Sequence, residues 1–224
     1  MKFSKPLLSG KLIKRYKRFL ADIQLDDGRL ITAHCPNSGR MTQCQGEGWP
    51  VLVTSHNNPK RKLQFTWEMV HNGKSWICIN TQRANEIAHE ALLNKQIPEL
   101  AEYENIEKEK KYGKNSKIDF LLSSQNELCY VEVKSVTLTN SKGQFCFPDA
   151  PTERGRKHLD ELVQMKEEGH RAVMLYIVNR EDGKGFTIAN FIDPDYGKKL
   201  NWAAQNGVEV LVYATKISKN EIVI

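Results

Sequence analysis

Two carboxylates and a lysine carry the strongest chemical signal in these 224 residues. Glu132-Val133-Lys134 lies in an apolar, β-branched stretch, and Asp119 lies in a similar stretch a short connection upstream. Glu-x-Lys alone says little, because Glu109-Lys110-Lys111 has the same spacing in a charged segment. Context separates the two. A strand places Tyr130, Glu132 and Lys134 on one face and Val131 and Val133 on the other. If Gln125-Asn126 forms a two-residue turn, opposed positions sum to 251, and Asp119 faces Glu132 with Cβ atoms roughly 5 Å apart; an odd-length loop would break that pairing. Like charges at this distance destabilise a sheet, and burial adds to the cost. A divalent cation removes it, and two carboxylates completed by waters and a backbone carbonyl suit Mg²⁺ or Mn²⁺. Lys134 would then orient an attacking water or stabilise a phosphorane-like transition state. The plain alternative is an ordinary surface pair of carboxylates balanced by Lys134 alone.

Other groups are candidates beside this set. Glu90 sits near the edge of the apolar face of a predicted helix and offers a third carboxylate, although a solvated helix glutamate fits the same pattern. The segment 147–158 opens a later helix. Its N–H groups, with Arg154, Lys157 and His158, offer a phosphate site. His158 has the chemistry of an acid or base, or of a hydrogen-bonded structural histidine.

Charge points to a polyanionic partner. Net charge is +6, and it is uneven: residues 1–80 carry +8, whereas 81–224 carry −2. Lys14, Arg15, Lys17 and Arg18 interleave with Tyr16 and Phe19, and Lys60 and Arg61 precede Phe65 and Trp67. Such cations neutralise phosphates, and aromatic faces stack on bases without demanding a sequence. For Tyr16, Phe19, Phe65 and Trp67 the favoured reading is nonetheless a place inside a barrel. A nucleic acid is the expected partner, with DNA against RNA left open.

The elements that must position these residues form two parts. Residues 12–25, 29–34, 49–55, 62–70 and 74–79 read as five strands, the last two joined at His71-Asn72-Gly73. Five short strands in so few residues suit a small closed barrel of the OB type. From residue 81 the pattern becomes α/β. Helices are expected over 83–96, 153–168 and 196–206, and strands over 117–122, 128–136, 171–178 and 208–213. Residues 98–112 read only as a charged stretch. A helix-turn-helix within 198–217 is disfavoured, because 208–213 is Val-rich and reads as a strand. The expected domains are 1–80 and 81–224. Five cysteines, odd in number and without a C-x-x-C pair, argue against a disulfide framework or a zinc site. The longest uncharged apolar run is seven residues, so no membrane span is expected. With no signal-peptide pattern at residues 1–6, the cytoplasm is the expected location.

Asp119 and Glu132-Val133-Lys134 on a hairpin between two helices resemble the PD-(D/E)xK nuclease superfamily. More specifically, nearly the whole chain resembles the sugar fermentation stimulation protein A family. His34-Cys35-Pro36-Asn37-Ser38-Gly39-Arg40-Met41, Ile118-Asp119-Phe120, the stretch from Tyr130 through Leu138, and Phe147-Pro148-Asp149-Ala150 with Thr152-Glu153-Arg154-Gly155 carry the likeness. It implies an N-terminal five-stranded OB-like barrel followed by a PD-(D/E)xK nuclease-like α/β domain. It also implies non-specific DNA binding and a regulatory role in maltose and other sugar metabolism. The superfamily's metal-binding acids carry over to Asp119 and Glu132, its lysine to Lys134, and its helix glutamate to Glu90. Its usual proline before the first acid is Ile118 here. Two readings follow: a Mg²⁺-dependent nuclease, or a non-catalytic DNA-binding regulator on a nuclease-like scaffold. Neither fixes the oligomeric state, and a homodimer stays open.

Overall fold

The computed structural model describes residues 1–113, 116–125 and 127–224. Strands β1 (Leu8–Tyr16), β2 (Leu20–Leu25), β3 (Leu30–His34), β4 (Pro50–Ser55), β5 (Phe65–His71) and β6 (Trp76–Cys78) follow one another along the sheet as β3-β2-β1-β4-β5-β6. A parallel pairing of His34 with Thr66 joins β3 to β5 and closes the first five into a barrel, leaving β6 as an appendage. Closure removes the free edges that such short strands would otherwise expose. Leu12, Ile23, Val51, Val53 and Trp67 fill the interior.

The strand expected over 12–25 is in fact a hairpin. Its tip falls at Lys17 and Arg18, which take positive φ values of 48° and 64°. No Gly or Asn marks this turn, so composition did not betray it. The turn also revises the aromatic expectation. Trp67 is buried as anticipated, but Phe19 stands at the hairpin tip, 47% exposed.

The α/β part opens with α1 (Gln82–Leu93), whose Ile87, Ala88 and Ala91 form its buried stripe. It continues with β7 (Asn105–Tyr112), β8 (Ser116–Ser123), β9 (Leu128–Val136), β10 (Leu138–Thr139), β11 (Phe145–Phe147), α2 (Glu153–Glu167), β12 (Arg171–Val178), β13 (Phe186–Ile188), α3 (Pro194–Gln205) and β14 (Glu209–Ala214). The main sheet runs β14-β12-β9-β8-β7, with β12 parallel to both β9 and β14 and the β7-β8-β9 side antiparallel. β12 is buried along nearly its whole length, as a central strand covered on both faces must be. One face packs on α1 together with Leu52, Met69 and Cys78 of the barrel; the other packs on α2 and α3. The charged stretch before residue 112 is thus an edge strand, β7. Lys and Glu side chains there face water and guard the edge, which is why no apolar alternation marked it. Residues 209–214 form a strand, as the Val-rich reading of 208–213 expected. The five cysteines are free and buried. No helix among the described residues is long and apolar enough to cross a membrane.

Buried polar links fasten the barrel to the sheet. Gln43 of the barrel exchanges hydrogen bonds with Thr139 (2.9 Å each way) and accepts one from Arg180 (2.8 Å). Glu68 of β5 pairs with Arg83 of α1 at 2.9 Å and accepts from Asn80 at 2.8 Å. An ion pair withdrawn from water in this way holds two elements in one relative position, because breaking it leaves an uncompensated buried charge.

Candidate active site in the interdomain cleft

The β8–β9 hairpin has the register anticipated from the sequence. Phe120 pairs with Val131 and Leu122 with Cys129. The proposed turn itself includes Asn126, which lies outside the described residues. The ladder stops at Phe120, one residue short of the expected Asp119–Glu132 pair. From there Asp119 turns its carboxylate onto the Val133 N–H (2.8 Å) and the Asn85 side-chain amide of α1 (2.7 Å). Glu132 and Lys134 face α2, where both meet His158.

Glu132 is 3% exposed. Its Oε1 accepts from Lys134 Nζ at 2.6 Å and contacts His158 Nδ1, while Lys134 Nζ lies 3.3 Å from that same nitrogen. Arg154, one turn before His158 on α2, reaches its other ring nitrogen at 3.3 Å. Burial opposes the charge on Glu132, but Lys134 and His158 outweigh it and hold the carboxyl below its ordinary pKa. Asp119 goes the other way. Burial, and then the like charge of Glu132, raise its pKa, and the Val133 and Asn85 donors offset that only in part.

These groups line a cleft of about 910 Å³ between the barrel and the sheet. Of the residues picked from the sequence, Asp119, Glu132, Lys134, Arg15, Arg18, Arg154 and His158 line it. Arg15 is not available to a ligand there, because its guanidinium caps the carbonyls of Asn37 (2.9 Å) and Gly39 (3.0 Å) and so shapes the cleft wall. The others fall elsewhere. Lys14 pairs loosely with Asp22 on the outer barrel face, and Lys17 occupies the hairpin tip. Arg61 folds onto Leu63 and Thr66 beside Lys60, in the β4–β5 connection. Lys157 lies over Glu161 at 3.5 Å. Glu90 corrects an expectation: it binds the amino group of Met1 and lies outside the cleft. The α1 residues that do reach the cleft are Gln82 and Asn85.

Arg40, Asn85 and Asp149 line the cleft but were not singled out as site residues. Arg40 and Asp149 lay within the family-like stretches, so a signal existed; Asn85, an amide on an amphipathic helix, gave none. Asp149 is held against the barrel. A Cβ at Gly39 would lie 2.0 Å from its carboxylate, so only glycine allows that approach.

The residues fit a divalent cation. Glu132 Oε2 is buried without a hydrogen-bond partner among the described residues, an orphan that a cation would satisfy. Among those residues no three His, Cys, Asp or Glu side chains converge as a metal-binding group. Two carboxylates completed by waters and phosphate oxygens is the set Mg²⁺ commonly accepts.

Taken together, a closed OB-like barrel and an α/β domain with an acid–acid–lysine set at their junction define a two-domain protein with a charged cleft between its parts. The barrel is matched over residues 13–79 by the family model for the SfsA N-terminal OB domain, and residues 82–221 by that for the sugar fermentation stimulation protein RE domain. The chain belongs to the sugar fermentation stimulation protein family. It is 49% identical to the sugar fermentation stimulation protein homolog of Acidithiobacillus ferrooxidans, over 97% of this chain and 94% of that one. It is 47% identical to the homolog of Geobacter sulfurreducens, over 97% and 93%. The fold superposes on that of Pyrococcus furiosus SfsA, solved in complex with Ca²⁺, with a TM-score of 0.90 at 23% identity, covering 100% of this chain and 94% of the other.

Proposed function

We propose that this protein binds DNA without sequence preference and hydrolyses phosphodiester bonds in the interdomain cleft with Mg²⁺ or Mn²⁺. One observation carries the reading: a buried carboxylate with an oxygen unpartnered among the described residues, paired to a lysine, lies in a cleft rimmed by arginines. A pure binder has no need of carboxylates where phosphates approach. The Ca²⁺ bound by the Pyrococcus relative supports a divalent-cation site in the family. Asp119 and Glu132 would hold the ion. When bound, it would neutralise phosphate charge and lower the pKa of a water.

The chain's own residues do the rest. Arg18, Arg40 and Arg154 draw the strand in and fix its phosphates. Lys134 keeps Glu132 ionised and presents an ammonium to charge developing on the phosphoryl oxygens. His158 holds Glu132 from the helix side, so that only Oε2 stays open. In this division residues 1–80 supply most of the cationic surface and residues 81–224 the chemistry, inside the cytoplasm.

One feature favours the non-catalytic alternative, a DNA-binding regulator of sugar metabolism. Glu132 Oε1 is already engaged by both Lys134 and His158. Calorimetric titration with Mg²⁺ and Mn²⁺, followed by cleavage assays on several DNA forms, separates the two. Wild type should bind metal and cut. Glu132→Ala should lose both, and Lys134→Ala should bind metal but cut about 10²–10³ times more slowly. No cleavage by wild type leaves the regulator, and cleavage surviving both substitutions would come from a contaminant.

A further inference from the structure

We infer that the cleft admits a single DNA strand and excludes an intact duplex. The inference names the substrate of the proposed hydrolytic site and rests on that reading for where cutting occurs. Glu132 and its unpartnered oxygen lie deep, 3% exposed, so the phosphate to be cut must descend between the walls. One wall is the barrel segment carrying Gly39 and Arg40; the other is the stretch from Phe147 to Arg154 that leads into α2. About 910 Å³ lies between them, within the range of a site for one drug-sized ligand, which matches a few nucleotides of one strand. A single strand is flexible enough to dip one phosphate into such a space. A duplex carries its complementary strand alongside and meets a protein across a broad groove-bearing surface.

The walls are also tied together. Asp149 rests on Gly39, Gln43 joins Thr139 and Arg180, and Glu68 joins Arg83. Widening the cleft to take a duplex would break buried polar links on more than one side. The rim has the two features single-strand binders use. Arg18, Arg40 and Arg154 are exposed cations along it, and Phe19, next to Arg18 at the hairpin tip, is exposed and offers an aromatic side chain beside the rim.

The test uses the full chain with a short fluorescent DNA strand, its blunt duplex, and the duplex with a single-stranded overhang. In EDTA, anisotropy should show the strand bound roughly tenfold or more tightly than the blunt duplex, because only free bases add stacking to phosphate pairing. Arg40→Gln and Arg154→Gln should each reduce the salt slope of strand binding by about 0.7. Phe19→Ala should weaken the strand and leave the duplex unchanged. With Mg²⁺ or Mn²⁺, strand and overhang should be cut and the blunt duplex spared. Blunt duplex bound and cut as well as the strand overturns the inference while hydrolysis stands. Strand preference in EDTA with no cleavage of any probe overturns hydrolysis and upholds the strand preference. Strand binding indifferent to all three substitutions places the strand outside the cleft and overturns the inference.

Discussion

At Asp119 and Glu132 the environment drives two similar carboxyls in opposite directions. Glu132 has Lys134 and His158 and stays ionised; for Asp119, burial and the neighbouring negative charge outweigh the Val133 N–H, the Lys134 ammonium and the Asn85 amide. Asp119 therefore takes up a proton at a higher pH than an ordinary aspartate, and metal affinity should fall as pH drops through that raised value. Asn85 is a positioning residue in this scheme. Asn85→Ala removes a donor to the ionised form, raises the Asp119 pKa further, and should weaken Mg²⁺ roughly tenfold at mildly acidic pH. The loss should shrink toward alkaline pH, where Asp119 is ionised in both proteins. Calorimetry across pH checks this. A pH-independent loss would mean that Asn85 shapes the site rather than tuning Asp119.

At the scale of elements, most of the frame was legible in the sequence, and the failures share a cause. The hairpin register was readable because two apolar strands and a short connection leave few pairings, and the observed pairs obey it. What periodicity does not encode is where a ladder ends, so the turning of Asp119 onto Val133 was not foreseeable. The β1–β2 turn hid behind Lys17 and Arg18, residues rarely asked to take positive φ, and β7 hid because an edge strand facing water needs no alternation. Glu90 was misplaced because helical spacing gives a face but not what lies opposite it. Gly39 was visible within a family-like stretch, but its reason is a contact more than a hundred residues away. Gly39→Ala pushes a methyl into the Asp149 carboxylate and should destabilise the protein by about 1–3 kcal/mol. Asp149→Ala, which vacates that space, should rescue much of the loss when the two are combined. Strictly additive urea-melt values would show that the contact is not the cause.

For the whole molecule, the decisive property is that barrel and sheet act as one unit, and the buried Arg180–Asp182 pair offers a way to measure it. Arg180, 2% exposed, donates to Gln43 of the barrel and to the Thr137 carbonyl (2.6 Å), and pairs with Asp182 at 2.6 Å. Asp182 also accepts from Asn72 of the barrel at 2.7 Å. Burial acts to raise the Asp182 carboxyl, but Arg180 and Asn72 prevail and bring it down to about 2, against an ordinary 3.8. A depressed pKa contributes stability that is fully present above the unfolded value and is lost as pH falls through the folded one. The shift corresponds to about 2 kcal/mol at neutral pH. Asp182→Asn should cost at least that, because it also leaves a buried guanidinium without its carboxylate. The stability gap between wild type and Asp182→Asn should be constant from neutral pH down to about 4, then narrow toward pH 2 as the wild-type carboxyl takes up its proton. If the clasp holds the cleft walls, the same substitution should weaken DNA binding at pH 7 without altering Arg18, Arg40 or Arg154. A stability gap that does not narrow in acid would assign the loss to packing around Asn72 rather than to the ion pair.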